Sequence, residues 1–158
     1  MQILFYTLFA VGIVAADQFT KYLTVANIAL GQHVEWMPGF LGLTYIQNTG
    51  AAFSSFEGMQ WLFALIFILF TVAIIWEYRQ NSMKFSKFEW WCIIAIYGGG
   101  LGNMIDRVRL GFVVDMLQTE FMDFPVFNVA DCFITCGCAV LIFSLLLINK
   151  KFWKDDAK

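Results

Sequence analysis

The chain has 158 residues, 60% of them hydrophobic, with a mean hydropathy of +0.70 and a formal net charge of −2. Soluble domains are closer to half apolar, so this composition points to a membrane protein of one domain's length. The near-neutral charge excludes a basic nucleic-acid surface and a solvating acidic tail.

The first element, residues 3–23, is an apolar run that passes Val14-Ala15-Ala16. That tripeptide resembles a secretory cleavage site, but no Lys or Arg precedes it and the run continues to Tyr22 and Leu23. It is therefore expected to be a retained spanning helix rather than a leader. Three more segments, 59–78, 89–108 and 127–148, have the roughly 20 residues that a bilayer of about 30 Å requires. Trp61, Trp76, Tyr78, Trp90, Trp91 and Trp153 lie near the ends of these segments, as interfacial aromatics do.

An even number of spans puts both termini on one side. Arg79, Lys84 and Lys87 lie in the loop between the second and third spans, and Lys150, Lys151, Lys154 and Lys158 in the C-terminal tail. By the positive-inside rule that side is cytoplasmic. Between the first and second spans, residues 32–53 alternate on either side of Pro38-Gly39, a pair suited to a type II turn, and predict a small β-hairpin on the outer face. A short extended piece is expected around Val113-Val114-Asp115. The fold class is an all-α integral membrane protein: a four-transmembrane-helix bundle with a small β-hairpin on the extracytoplasmic face, all in one domain, residues 1–158.

Intramembrane charge singles out the site. At 1.5 Å per helical residue, Ile3 to Asp17 is about 21 Å, Trp91 to Asp106 about 22 Å, and Leu147 back to Asp131 about 24 Å. Three acids on three helices thus reach one level in the outer third of the bilayer, and Asp115 can dip to it. A charge at mid-bilayer costs roughly 2.5–3.5 kcal/mol on insertion scales. Asp17, Lys21, Asp106, Arg107 and Asp131 should therefore face inward, paired, around a polar cavity. Simpler readings stand beside this one. Asp17 and Lys21 have i, i+4 ion-pair spacing, Asp106-Arg107 suits a snorkelling anchor, and Asn128 and Asp131 suit a helix N-terminus. The glycines Gly98, Gly99, Gly100 and Gly102 suit close helix packing rather than a phosphate loop.

Several chemistries remain open. Ser54 or Ser55 with Lys21 would make a Ser/Lys protease, and the buried acids would also suit a proton-coupled transporter, although no inverted repeat supports the latter. The lone His33 cannot build a zinc site, and Cys92, Cys132, Cys136 and Cys138, all in apolar runs, read as small packing residues. Two carboxylates crowded in a low-dielectric cleft share one proton: the charged member activates water and the protonated member donates to the carbonyl oxygen. That is aspartic peptidase chemistry, with no metal and no cofactor.

The blocks "DQFTK" (17–21), "QNTGAAF" (47–53), "GGGLGNMIDRVRLGFVVDM" (98–116) and "FNVAD" (127–131) together resemble lipoprotein signal peptidase, or signal peptidase II, across essentially the whole chain. The resemblance implies a bacterial aspartic endopeptidase of the cytoplasmic membrane. Such enzymes remove the signal peptide of diacylglyceryl-modified prolipoproteins just before the lipidated cysteine. By motif, the catalytic pair is Asp115 and Asp131, a choice the residues alone could not make between Asp115 and Asp106. The resemblance further implies that Asn48, Asn103 and Arg107 line the cleft and hold substrate carbonyls, with Asn128 supporting it. Asp17, Lys21, Asp106, Gly50 and Gly99 are then structural. It makes the 32–53 hairpin a β-cradle that grips substrate; Gln47 stands where a basic residue is more usual. The implied partners are diacylated prolipoproteins and membrane lipids, with no nucleic acid, and the chain is taken as a monomer.

Overall fold

A computed structural model describes residues 1–50 and 58–149. The far end of the expected hairpin (51–53), Ser54, Ser55 and the basic tail from Lys150 onward fall outside the described residues. Seven elements follow in chain order: α1 (Gln2–Asn27), β1 (His33–Met37), β2 (Leu41–Asn48), α2 (Gln60–Gln80), α3 (Lys87–Leu110), β3 (Val113–Thr119) and α4 (Val129–Phe143). A π-helical turn, Ser144–Ile148, continues α4.

The helix ends follow local chemistry. Ser86 and Glu89 form a capping box at the start of α3, and Asn128 and Asp131 form another at the start of α4. α3 stops at Gly111, whose φ of 81° supplies a left-handed cap. Among the described residues three helices, α1, α2 and α4 with its π turn, are long and apolar enough to cross a membrane. α3 carries its polar residues on the face it turns inward: Asn103 and Asp106 are buried, and α1, α2 and α4 all pack on it.

Small residues let them approach. A Cβ on Gly99 would lie 2.5 Å from the Ala130 carbonyl oxygen of α4, and one on Gly102 would lie 2.6 Å from Asp17 Oδ2 of α1. The glycine cluster is therefore a contact surface for two helices at once. On α1 the buried positions Tyr6, Ile13, Asp17, Lys21 and Thr24 recur at helical spacing and form its inward stripe. Large apolar side chains such as Leu8, Phe19, Leu69 and Ile142 remain exposed on the outer faces of the helices.

The sheet is larger than a hairpin. β1 and β2 are antiparallel around the expected Pro38-Gly39 turn, where Gly39 has a φ of 70°. β3, the extended piece expected around Asp115, pairs antiparallel with β2 to give the order β1-β2-β3. Its register sets Ile46 against Asp115 and Asn48 against Val113. β3 is anchored twice more. Val114 N–H donates to Asp106 of α3 (3.1 Å), and Phe127, just before α4, exchanges backbone hydrogen bonds with Leu117. A carboxylate on β3 is thereby fixed beside the first turn of α4.

Candidate active site

Lys21 sits at the centre of the polar cluster, almost fully buried. Its ammonium lies 2.8 Å from Asp17 Oδ2 and 2.9 Å from Asp106 Oδ2, and it donates to Asn103 Oδ1 at 2.8 Å. Both carboxylates are further satisfied: Asp17 accepts from Ala130 N–H, and Asp106 accepts from Gln18 and Val114 N–H. A buried ion pair of this kind is weak evidence of net stability, but removing one partner strands the others. Asp17, Asp106 and Asn103 together hold the Lys21 side chain within this cluster.

From Lys21 the hydrogen bonds run toward the remaining acids through two asparagines. Asn103 accepts from Lys21 and, at 3.1 Å, from Asn128 Nδ2, which leaves its own amide NH2 to donate to Asp131 Oδ1 at 2.7 Å. Asn128 caps α4 by accepting from Asp131 N–H at 2.9 Å, while its backbone N–H donates to Asp131 Oδ2 at 3.1 Å. The same side chain donates to Asp115 Oδ1 at 2.6 Å. Asn128 is thus both a helix cap and the bridge between the two acids. Asn48 completes the frame, donating to Asp115 Oδ2 at 2.8 Å and accepting from Gly50 N–H at 2.9 Å.

Asp115 and Asp131 both line a cavity of about 970 Å³ between α2 and α4, floored by α3. Phe63, Ile66, Phe67 and Phe70 of α2 form one wall, and Ile134 of α4 belongs to the other. Asn48, Asn103 and Arg107 also line it; Asp17, Lys21 and Asp106 do not. Burial in these apolar surroundings raises the Asp115 carboxyl to about 6, with the Asp131 charge adding to the rise while the hydrogen bond from Asn48 opposes it. Arg107 stacks over the Phe63 ring at 4.3 Å, and its guanidinium donates to Gly50 O at 3.0 Å. Among the described residues its buried Nε–H has no partner.

The geometry therefore divides the sequence-derived residues. Asp115, Asp131, Asn48, Asn103 and Arg107 line the cavity, and the fully buried Asn128 bridges the two acids. Asp17, Lys21 and Asp106 form the ion cluster behind it, Gly99 admits α4, and Gly50 contributes its backbone N–H and C=O. One participant went unnoticed in the sequence: Gln18, which donates to Asp106 Oδ1 at 2.9 Å and to Gly102 O at 3.2 Å. Its only signal was its place inside the polar block that begins at Asp17. Among the described residues no group of His, Cys, Asp and Glu is arranged to hold a metal ion.

Apolar helices around a cleft lined by two bridged carboxylates define a membrane-embedded protein with paired acids in its cleft. Comparison with known proteins makes the assignment specific. Residues 9–147 match the family model for signal peptidase (SPase) II. The chain is 45% identical over 152 residues to the lipoprotein signal peptidase of Enterococcus faecalis, covering 95% of this chain and 92% of that protein. It is 47% identical over 139 residues to the lipoprotein signal peptidase of Lactococcus lactis subsp. cremoris, covering 86% and 89%. A solved bacterial membrane enzyme superposes with a TM-score of 0.84 at 33% identity, covering 97% of this chain and 94% of that one. A second gives 0.79 at 35% identity, covering 91% and 93%. The chain belongs to the signal peptidase II family: it is a bacterial membrane-embedded aspartic peptidase.

Proposed function

We propose that this single-domain protein removes signal peptides from diacylglyceryl-modified prolipoproteins, cleaving before the lipidated cysteine with Asp115 and Asp131 as the catalytic pair. In this reading all four helices span the bilayer. The basic α2–α3 loop and both termini are cytoplasmic, and the three-stranded sheet lies at the extracytoplasmic surface. α3 tolerates its lower hydropathy because its polar face meets protein rather than lipid. The protein acts as a monomer without metal or cofactor.

The roles divide by hydrogen bonding. Asp131 accepts from the Asn128 backbone N–H and from the Asn103 amide in the first turn of α4, with its carboxylate open to the cavity. It takes a proton from the attacking water. Asp115, whose carboxyl titrates near 6, carries the shared proton and gives it to the scissile carbonyl oxygen. The proton gained by Asp131 then passes to the leaving amine. Arg107 and the cavity-facing asparagines hold the substrate backbone. The gap between α2 and α4 admits a helical signal peptide sideways while its acyl chains remain in lipid.

One observation carries this reading: Asn128 touches both acids, and both acids open into one apolar-walled cavity. The test is cleavage of a diacylated precursor by purified protein in detergent. Asp115→Asn and Asp131→Asn should each lower kcat by roughly a thousandfold or more while the protein still folds. Equal loss in Ser54→Ala with activity kept in Asp131→Asn would transfer the chemistry to a serine.

A further inference from the structure

Beyond the acids, the cavity wall carries nucleophiles that the reaction does not use. Cys132 follows Asp131 directly, and Cys136 lies one turn deeper on α4; both line the cavity, and neither is paired in a disulfide. Cys136 is exposed and Cys132 half-buried, whereas Cys92 is only 7% exposed and does not line the cavity. Cys138, two residues beyond Cys136, is rotated about 200° around the helix and does not line the cavity.

We propose that Cys132 and Cys136 form a thiol site for small apolar Michael acceptors, and that an adduct there fills the cleft and excludes substrate. Three structural features support this. The i, i+4 spacing puts both sulfurs on one stripe of α4. The neighbouring walls, Phe63, Phe67 and Ile134, favour an apolar reagent. Position decides the consequence: a ring attached at Cys132 stands beside Asp131, where the scissile bond would lie. The step is balanced without an oxidant. Thiolate sulfur attacks the β-carbon of the activated alkene, an S–C bond forms as the C=C π bond breaks, and the resulting enolate takes a proton from water, replacing the one the thiol gave up.

The experiment treats the full-length protein in detergent with N-phenylmaleimide and reads adducts by peptide mass mapping. Binding of a fluorescent diacylated peptide is measured alongside cleavage. Cys132 and Cys136 should label about tenfold or more faster than Cys92, and treated wild type should lose roughly nine-tenths of its peptide binding. C132S/C136S, or C132A/C136A should the serine variant not fold, should keep most of its own untreated binding after the same treatment. Equal labelling of Cys92, full binding with both adducts in place, or equal loss in the double variant would each overturn the proposal. Because mass and binding do not require turnover, a protein that binds peptide but never cleaves it would refute the proposed reaction and still decide the thiol site.

Discussion

Both ends of α3 bury a carboxylate, but only the acids near its far end line the cavity between α2 and α4. Near the start of α3, Glu89 is fully buried. Its oxygens are filled by Ser86 N–H at 2.7 Å, Asn149 Nδ2 at 2.7 Å and Ser144 Oγ at 2.9 Å. It ties the α2–α3 loop to the π turn that ends α4, and it does not line the cavity that Asp115 and Asp131 share. Near the far end, Asp115 and Asp131 are held just as firmly from behind, yet each faces open space. Burial alone therefore does not mark a functional acid. What separates a latch from a reaction centre is access, together with a second acid near enough to compete for a proton.

The sharpest way to break this contrast is to remove the cation on which the outer end rests. Lys21→Met leaves Asp17 and Asp106 buried without their shared partner, and should cost about 3–5 kcal/mol of stability. It also frees the Asn103 amide to turn, so precursor cleavage should fall roughly tenfold or more among molecules that fold. Thermal unfolding in detergent and a cleavage assay on the same preparation separate the two effects. Next in size is Gly99→Ala, whose new methyl meets backbone rather than a flexible side chain. Forcing α3 and α4 apart should cost about 1–3 kcal/mol and displace Asp131, seen as a lower Tm with reduced kcat and little change in KM. Glu89→Gln tests the other end. Replacing an acceptor oxygen by an NH2 that faces other donors should cost about 1–2 kcal/mol of stability, with cleavage at a permissive temperature within about twofold of wild type. A large loss of cleavage in Glu89→Gln with an unchanged Tm would erase the distinction between the two ends.

The sequence made the local features legible. Four helical segments, the Pro38-Gly39 turn and the Asp17–Lys21 pair all follow from periodicity and spacing, and the structure holds each within a few residues of its expected bounds. Depth counting along three helices predicts that Asp17, Asp106 and Asp131 reach one level, and the cost of burying charge predicts that they face inward with Lys21 and Arg107. What stayed hidden depends on pairing between distant segments. Nothing in residues 113–119 says that they will join residues 41–48, so a hairpin was expected where a three-stranded sheet stands. The same holds for amide orientation. Asn103 can serve Lys21 and Asp131 simultaneously only because three helices converge on it, and Gln18 acquires its role only when α1 lies against Asp106. The choice of Asp115 over Asp106 came from family resemblance. The structure supplies a physical contrast between them: Asp106 is consumed by Lys21, Gln18 and Val114 N–H, whereas Asp115 faces the cavity.

The most direct measurement is the titration of the Asp115 carboxyl, followed by site-specific carbon-13 NMR in the wild type and in Asp131→Asn. With the pair coupled across the cleft, Asp115 should titrate near 6, well above an ordinary aspartate. A raised carboxyl stabilises the fold at low pH, and that contribution is lost as pH climbs through about 6; Tm should fall across the same window. Taking away the Asp131 charge removes one of the causes of the rise, so the titration should move down in Asp131→Asn. An Asp115 that titrates as an ordinary surface carboxylate, unmoved by Asp131→Asn, would contradict the shared-proton account.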